Sequence, residues 1–225
     1  MRDVDFLLFL DDMLKAQYAY STIGHVRSFL VHQEIIRYDR RVLTGSLRVK
    51  KALKRYQRLA KAYAKDTKPL GLPELKTILA STAPNVFKSK CVVAFLFALR
   101  HNEVHRVLTG ENKLEKTATG WKLRLFQTKT NKAPRGVSVF LPASWIPRGA
   151  DQWLAYAARA PLHGLVDYAA DNSRLGALLG KPSEVRFHGW RHGRATQLRD
   201  SGVPEVTIQN FGRWKRVETI RVYIH

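Results

Sequence analysis

The segment 187–225, FHGWRHGRATQLRDSGVPEVTIQNFGRWKRVETIRVYIH, gathers side chains that can grip an anion and react with it. Residues 187–199 have helical spacing. His188, Arg191, Ala195 and Leu198 stand at i, i+3, i+7 and i+10, so an imidazole and a guanidinium share one helix face and can meet one ligand. Gly202 suits the position just past that helix, and Pro204 suits the first turn of a second one, whose Val206 and Ile208 lead to Phe211. Gly212 interrupts the chain again. Arg213, Trp214, a short helical stretch with Val217 and Ile220, and Tyr223 follow. A phenol such as that of Tyr223 ionises only near pH ~10, so it becomes reactive at neutral pH only with a base or strong positive charge beside it.

The ligand class follows from charge. Thirty-nine Lys and Arg against eighteen Asp and Glu give a formal +21 over 225 residues. A compact state with that charge repels itself unless a polyanion lies against it, which points to nucleic acid. An acidic membrane surface is the other option, but the longest apolar run, 91–99, is half of what a bilayer span needs. Hydrophobic residues make up 45% of the chain, enough for real cores, and the length suits one large domain or two small ones. The start, MRDVD, mixes acids with apolar residues, unlike the basic opening of a secretion signal. A protein that is not secreted is therefore expected, placed in the cytoplasm or nucleoid, or in the nucleus of a eukaryote. One cysteine, Cys91 in the apolar run, excludes an internal disulfide and a cysteine-cluster zinc site. The histidines lack H-E-x-x-H spacing, and no carboxylate set suits two metals, so neither metal nor cofactor is expected.

The elements that must hold the reactive groups are mostly helical. Residues 4–14 and 22–38 mix apolar and charged positions at helical spacing, with Ser21 or Thr22 as a cap for the second. From Val49 an apolar stripe runs through Leu53, Tyr56, Ala60 and Tyr63, while Arg48, Lys50, Lys51, Lys54, Arg55, Arg58 and Lys61 take other positions around the helix. Eleven basic residues and one acid, Asp39, lie between Arg37 and Lys65. A merely solvated face mixes signs, so this one is expected to bind phosphates. The stretch DTKPLG, 66–71, reads as a linker and divides the chain into domains 1–66 and 67–225, with Pro73 opening the next helix. A helix over 85–99 is apolar all round in its last two turns and therefore buried, and Arg100 follows it directly. On its own, Arg100 reads as a helix-ending cation. Residues 121–141 alternate at Trp121, Leu123 and Leu125, pass a basic turn with Pro134 and Gly136, and alternate again at Val137, Val139 and Leu141, as a β-hairpin does. Residues 150–160 give another helix, and 142–186 otherwise carry no functional signal. The expected fold is mainly α with a small β-hairpin or sheet in the second half, an α+β arrangement behind an N-terminal helical bundle.

The ordered motifs resemble the catalytic half of the tyrosine recombinases, the phage-integrase family: an H-x-x-R-H box at 188–192, then G-V-x-x-x-x-I-Q at 202–209, then a glycine and tryptophan, then a tyrosine. The wording GRWK at 212–215 is similar to recombinases of Crypton and DIRS mobile elements. The resemblance implies that His188 and Arg191 are the box histidine and second catalytic arginine. It places Trp214 at the His/Trp position nine residues before the nucleophile, and makes Tyr223 that nucleophile. Arg100, in ALRHNEVHRVL, matches the first catalytic arginine, and Glu103 its acidic neighbour, which holds a guanidinium rather than doing chemistry. Thr128-Lys129-Thr130 fits the hairpin that carries the family's catalytic lysine, with Lys132 as competitor. Residues 1–66 resemble the family's core-type DNA-binding domain in position and charge.

In that chemistry, attack on phosphorus loads negative charge onto the non-bridging and leaving oxygens, and Arg100 and Arg191 each offer a charged fork to meet it. His188 is the proton partner of the phenol, Lys129 the acid for the leaving 5′ oxygen, and Trp214 a positioning group. The implied partner is double-stranded DNA, cut and rejoined through a 3′-phosphotyrosyl link by a protein that self-associates as a tetramer on DNA. A type IB topoisomerase reading uses the same link, and a basic DNA-binding protein without activity is the reading from composition alone.

Overall fold

The computed structural model describes residues 3–16, 18, 20–38, 46–60, 68–126, 136–161, 167–182 and 184–221. The chain divides into two compact units, 1–66 and 67–225. The first holds helices α1 (Asp3–Lys15), α2 (Tyr20–Tyr38) and α3 (Leu47–Ala60). Phe6 and Leu10 of α1, Ile23 of α2, and Val49, Leu53 and Tyr56 of α3 form its core. The Tyr56 hydroxyl donates to the Tyr18 carbonyl at 2.9 Å, so the phenol is buried with its polar end satisfied. α2 begins at Tyr20, which puts Ser21 and Thr22 inside the helix rather than at its cap.

The second unit is built around α5 (Asn85–Leu96), preceded by α4 (Leu72–Ala80). Pro73 lies in the first turn of α4, and the Gly71 N–H donates to the Glu74 carboxylate at 2.8 Å, closing the helix start. From Cys91 to Leu99 every side chain is buried, as an unbroken apolar run requires. α5 is shorter than the 85–99 expectation: it ends at Leu96, and a second helix, α6 (His101–Leu108), starts soon after. Arg100 is therefore the N-cap of α6 and not the last residue of α5, which removes the dipole-compensating role at a helix end.

Strands β1 (Lys113–Thr117), β2 (Gly120–Leu125) and β3 (Val137–Pro142) form an antiparallel sheet in that order. Register pairs Leu114 with Leu123 and Leu123 with Val139, so the alternating apolar residues fall on one face. The β2–β3 pair is the expected hairpin. β1 had no alternating signal, because KLEKT carries one apolar residue among charges, as suits an edge strand. Helices α7 (Asp151–Ala158), α8 (Tyr168–Leu178), α9 (Gly189–Asp200), α10 (Glu205–Gly212) and α11 (Val217–Arg221) complete the unit. Ser89 donates to the Trp153 carbonyl at 2.9 Å and pins α5 to α7.

Two glycines set the position of α9. A Cβ at Gly193 would lie 1.8 Å from the Leu70 carbonyl oxygen, and one at Gly189 would lie 2.5 Å from that of Lys68. Only a bare helix surface lets the segment 68–70 cross there, and the Leu70 N–H donates to the Gly189 carbonyl at 2.9 Å.

Candidate active site

Two helix ends build the site, and both use a left-handed residue that is not glycine. At the end of α5 the Leu99 N–H bonds the Ala94 carbonyl at 2.9 Å and the Ala98 N–H bonds that of Phe95 at 3.1 Å. At the end of α10 the Trp214 N–H bonds Gln209 at 3.1 Å and the Arg213 N–H bonds Asn210 at 3.2 Å. Each is a Schellman closure, with Ala98 at φ 47° and Arg213 at φ 60° in the place usually held by glycine. The left-handed form costs a side-chain-bearing residue about 1–2 kcal/mol, so both turns are held by their surroundings. Gly212 is needed for a different reason from the chain break read in sequence: a Cβ there would fall 1.6 Å from the Trp214 ring.

The surroundings are guanidinium groups. Arg191, on the buried face of α9, donates through Nη1 to the Ala98 carbonyl and through Nη2 to the Gly212 carbonyl, both at 2.5 Å. Its guanidinium lies 4.1 Å from the centre of the Trp214 ring, a desolvated cation–π contact worth about 2 kcal/mol. Arg213 donates to the Phe211 carbonyl at 3.0 Å and to that of Ala98 at 3.4 Å. One arginine thus ties the two turns to α9, and the other ties the turns to each other.

Glu103 supplies the balancing charge. As the third residue of α6 it accepts from the Arg100 backbone N–H at 2.9 Å, the reciprocal half of a capping box, and from Arg100 Nη1 at 3.1 Å. Its other bond, 3.1 Å, comes from Arg213 Nη2. Burial works against the Glu103 charge. Arg213, the Arg100 N–H and the Arg100 and Arg191 guanidinia outweigh it and hold the carboxyl below the usual carboxylate range. His188, at the N-cap of α9, faces the same cations: burial first, then Arg191 and Arg100, push it down to about 4. It is therefore a neutral imidazole at neutral pH, able to accept a proton, and its ring meets that of His192 edge-on at 5.1 Å.

The structure thus brings together Arg100 and Glu103 from the start of α6, His188 and Arg191 from the start of α9, and Trp214 from just past the end of α10. Arg191 is wholly buried, whereas the Arg100 side chain is 27% exposed. Both Nη atoms of Arg191 already serve carbonyls, so it differs from the freely offered fork expected of it. Sequence reasoning named Arg213 beside Trp214 and gave it no role. Its signal was an arginine directly before Trp214 in the stretch 206–225, whose one acid is Glu218. Lys129 and Tyr223 lie outside the described residues. The segment with Lys129 follows Phe126, whose N–H donates to Asn112 Oδ1 at 3.0 Å while Asn112 Nδ2 donates to the Glu103 carbonyl at 3.3 Å. In the first unit Arg48, Lys50, Lys51, Lys54 and Arg55 are exposed on α3, opposite Val49, Leu53 and Tyr56. Arg58 also falls on α3, and Lys61 lies outside the described residues. Among the described residues no group of three or more His, Cys, Asp or Glu could hold a metal ion, and no helix is long and apolar enough to cross a membrane.

A model of the phage integrase family matches residues 166–225, the stretch that contains His188, Arg191, Trp214 and Tyr223. The fold is similar to that of solved tyrosine recombinases. The Tn1549 transposon integrase in complex with circular intermediate DNA is 15% identical with a TM-score of 0.58, covering 100% of this chain and 81% of that one. The XerH site-specific recombinase bound to palindromic difH substrate, a post-cleavage complex, is 15% identical with a TM-score of 0.53, covering 88% of this chain and 68% of that one. The XerA recombinase is 16% identical with a TM-score of 0.52, covering 99% and 86%. At such identities the likeness is one of fold. No curated protein sequence is significantly similar to the chain.

Proposed function

We propose that the chain is a site-specific DNA recombinase that cuts and rejoins DNA through a 3′-phosphotyrosyl intermediate, with unit 67–225 as its catalytic domain and unit 1–66 as a DNA-binding domain. One observation carries the reading: two guanidinia and a neutral imidazole meet on one carboxylate-braced junction, inside a chain whose last 60 residues match the phage integrase family. In the reaction, the Tyr223 oxygen forms a bond to phosphorus as the bond from phosphorus to the 5′ oxygen breaks. The phenol proton passes toward His188, and Lys129 protonates the leaving oxygen. Arg100 and Arg191 stabilise the charge that builds on the non-bridging oxygens, and Trp214 holds Arg191 in place. Because the phosphotyrosyl bond keeps the energy of the broken one, rejoining needs neither ATP nor metal. The solved recombinases of similar fold in complex with DNA support double-stranded DNA as the partner; a tetramer on DNA follows from the resemblance to that class alone. The GRWK wording further suggests a recombinase of a mobile element of Crypton or DIRS type, acting in the nucleus of a eukaryote, or at the nucleoid or in the cytoplasm of a prokaryotic or viral system.

Incubation with nicked suicide duplexes from a random library, read on denaturing gels, tests the proposal. Wild type is expected to form a covalent protein–DNA adduct without divalent metal, and Tyr223→Phe none. An adduct that persists in Tyr223→Phe moves the nucleophile elsewhere, and tight salt-sensitive binding with no adduct on any substrate leaves a DNA-binding protein. Arg191→Ala is expected to slow adduct formation on the order of a hundredfold or more, the usual cost of one lost transition-state donor. Relaxation of supercoiled plasmid without strand exchange is the outcome that favours a topoisomerase.

A further inference from the structure

A second polar cluster lies deep in the unit 67–225, one residue from Arg100 on one side and one residue from His188 on the other. Lys90 of α5 is 4% exposed, and its Nζ donates to both carboxylate oxygens of Asp171 on α8 at 3.0 Å. Asp171 is 3% exposed, and its Oδ2 also lies 2.8 Å from Nε2 of His101, the first residue of α6. The His101 ring is met edge-on by Tyr168 of α8 and by Phe187, each with centroids 5.0 Å away. Phe187 is in turn fixed by α8, since its N–H donates to Asn172 Oδ1 at 2.6 Å.

An ion pair is a poor way to stabilise a core. Its desolvation cancels most of the attraction, and apolar residues of the same volume often do as well or better. What the charged cluster supplies is direction. Bidentate contacts fix Asp171, Asp171 fixes His101, and Asn172 fixes Phe187, so neighbouring positions of one helix hold the residues next to Arg100 and His188. We infer that α8, through Asp171 with Lys90 and His101 and through Asn172, is a positioning clamp that sets Arg100 and His188 in register with each other. The inference rests on the recombinase reading for what the register achieves, though not for the register itself.

The decisive variant replaces the cluster by apolar residues, Lys90→Met with Asp171→Leu. A purely structural pair predicts that this protein folds as stably as wild type and cleaves suicide duplexes at the wild-type rate. A clamp predicts the same stability and the same DNA Kd, with the single-turnover cleavage rate down at least tenfold. Should the double variant fail to fold, His101→Phe keeps the aromatic contacts and the Lys90–Asp171 pair while losing the link to α6. It is expected to slow cleavage, and His101→Gln, which keeps a donor, to restore most of the rate. Side-chain 15N–1H NMR of Arg100 gives a readout that needs no catalysis: its dispersed Nε–H signal should move toward the random-coil position in the double variant or in His101→Phe. If wild type forms no adduct, the recombinase reading falls while this NMR shift still decides the clamp. An unmoved Arg100 signal, or wild-type cleavage in the folded variants, overturns it.

Discussion

The exposed face of α3 and the buried junction around Glu103 use the same residue types to opposite ends. On α3, Arg48, Lys50, Lys51, Lys54 and Arg55 stand in solvent over an apolar stripe, and no Asp or Glu occurs between Arg40 and Lys65. Among the described residues no acid braces these charges, so position along the helix matters more than rotamer, and affinity for a phosphate chain is all they need supply. At the junction, Arg191 is buried, the Arg213 side chain is 7% exposed, and every bond is directional: carbonyls of Ala98, Phe211 and Gly212 and the Glu103 carboxylate set the planes of the guanidinia. A surface cation can be moved by a residue with little loss. A buried one cannot, because its desolvation is offset only where each donor finds its acceptor.

The contrast between the two regions is sharpest at Glu103. Glu103→Gln leaves the Arg213 side chain, 7% exposed, without its carboxylate, and is expected to lower unfolding stability by about 3–5 kcal/mol in urea titrations. A loss under about 1 kcal/mol would mean that the carbonyl bonds of Arg213 suffice, and that the junction is no more demanding than the surface. The converse change is Arg48, Lys50, Lys51, Lys54 and Arg55 to Gln together. Relief of like-charge repulsion should leave stability unchanged or slightly raised. DNA affinity at low salt should fall on the order of a hundredfold, and the slope of log K against log salt should shrink by about 0.9 for each phosphate no longer neutralised. An unchanged slope would place the DNA-facing surface on another part of the molecule.

The two regions were also unequally legible in sequence. The α3 face could be read from period and charge alone, since a 3.6-residue stripe with cations on its other sides has one stable way to lie. The β2–β3 hairpin was legible for the same kind of reason, alternation at Trp121, Leu123, Leu125, Val137, Val139 and Leu141. The junction was legible only as an ordered motif. Nothing local announces that Ala98 adopts a left-handed conformation, because its stabilisation comes from Arg191, 93 residues away in the chain. The change from α5 to α6 at Arg100 did leave a trace, the R-x-x-E spacing of a capping box, which an apolar run continuing to Leu99 concealed. α8 was missed because YAADNSRLGAL has no apolar stripe. Its buried positions include Asp171, whose partners Lys90 and His101 are distant in sequence.

The finest distinction between the regions is titration. At the junction His188 is held down to about 4 by burial and by Arg191 and Arg100. A histidine depressed in the folded state binds fewer protons than its unfolded form between pH ~6.5 and ~4, so it favours folding above that window and the contribution is lost as pH falls through it. After allowance for its partial exposure, wild type should lose about 1–2 kcal/mol of stability across the window from this group alone. His188→Gln, with no proton to gain, should show a flatter profile there by that amount, while the five-residue α3 variant should keep the wild-type slope. Parallel profiles for wild type and His188→Gln would mean that His188 titrates as an exposed imidazole does, and that the positive field of the junction does not reach it.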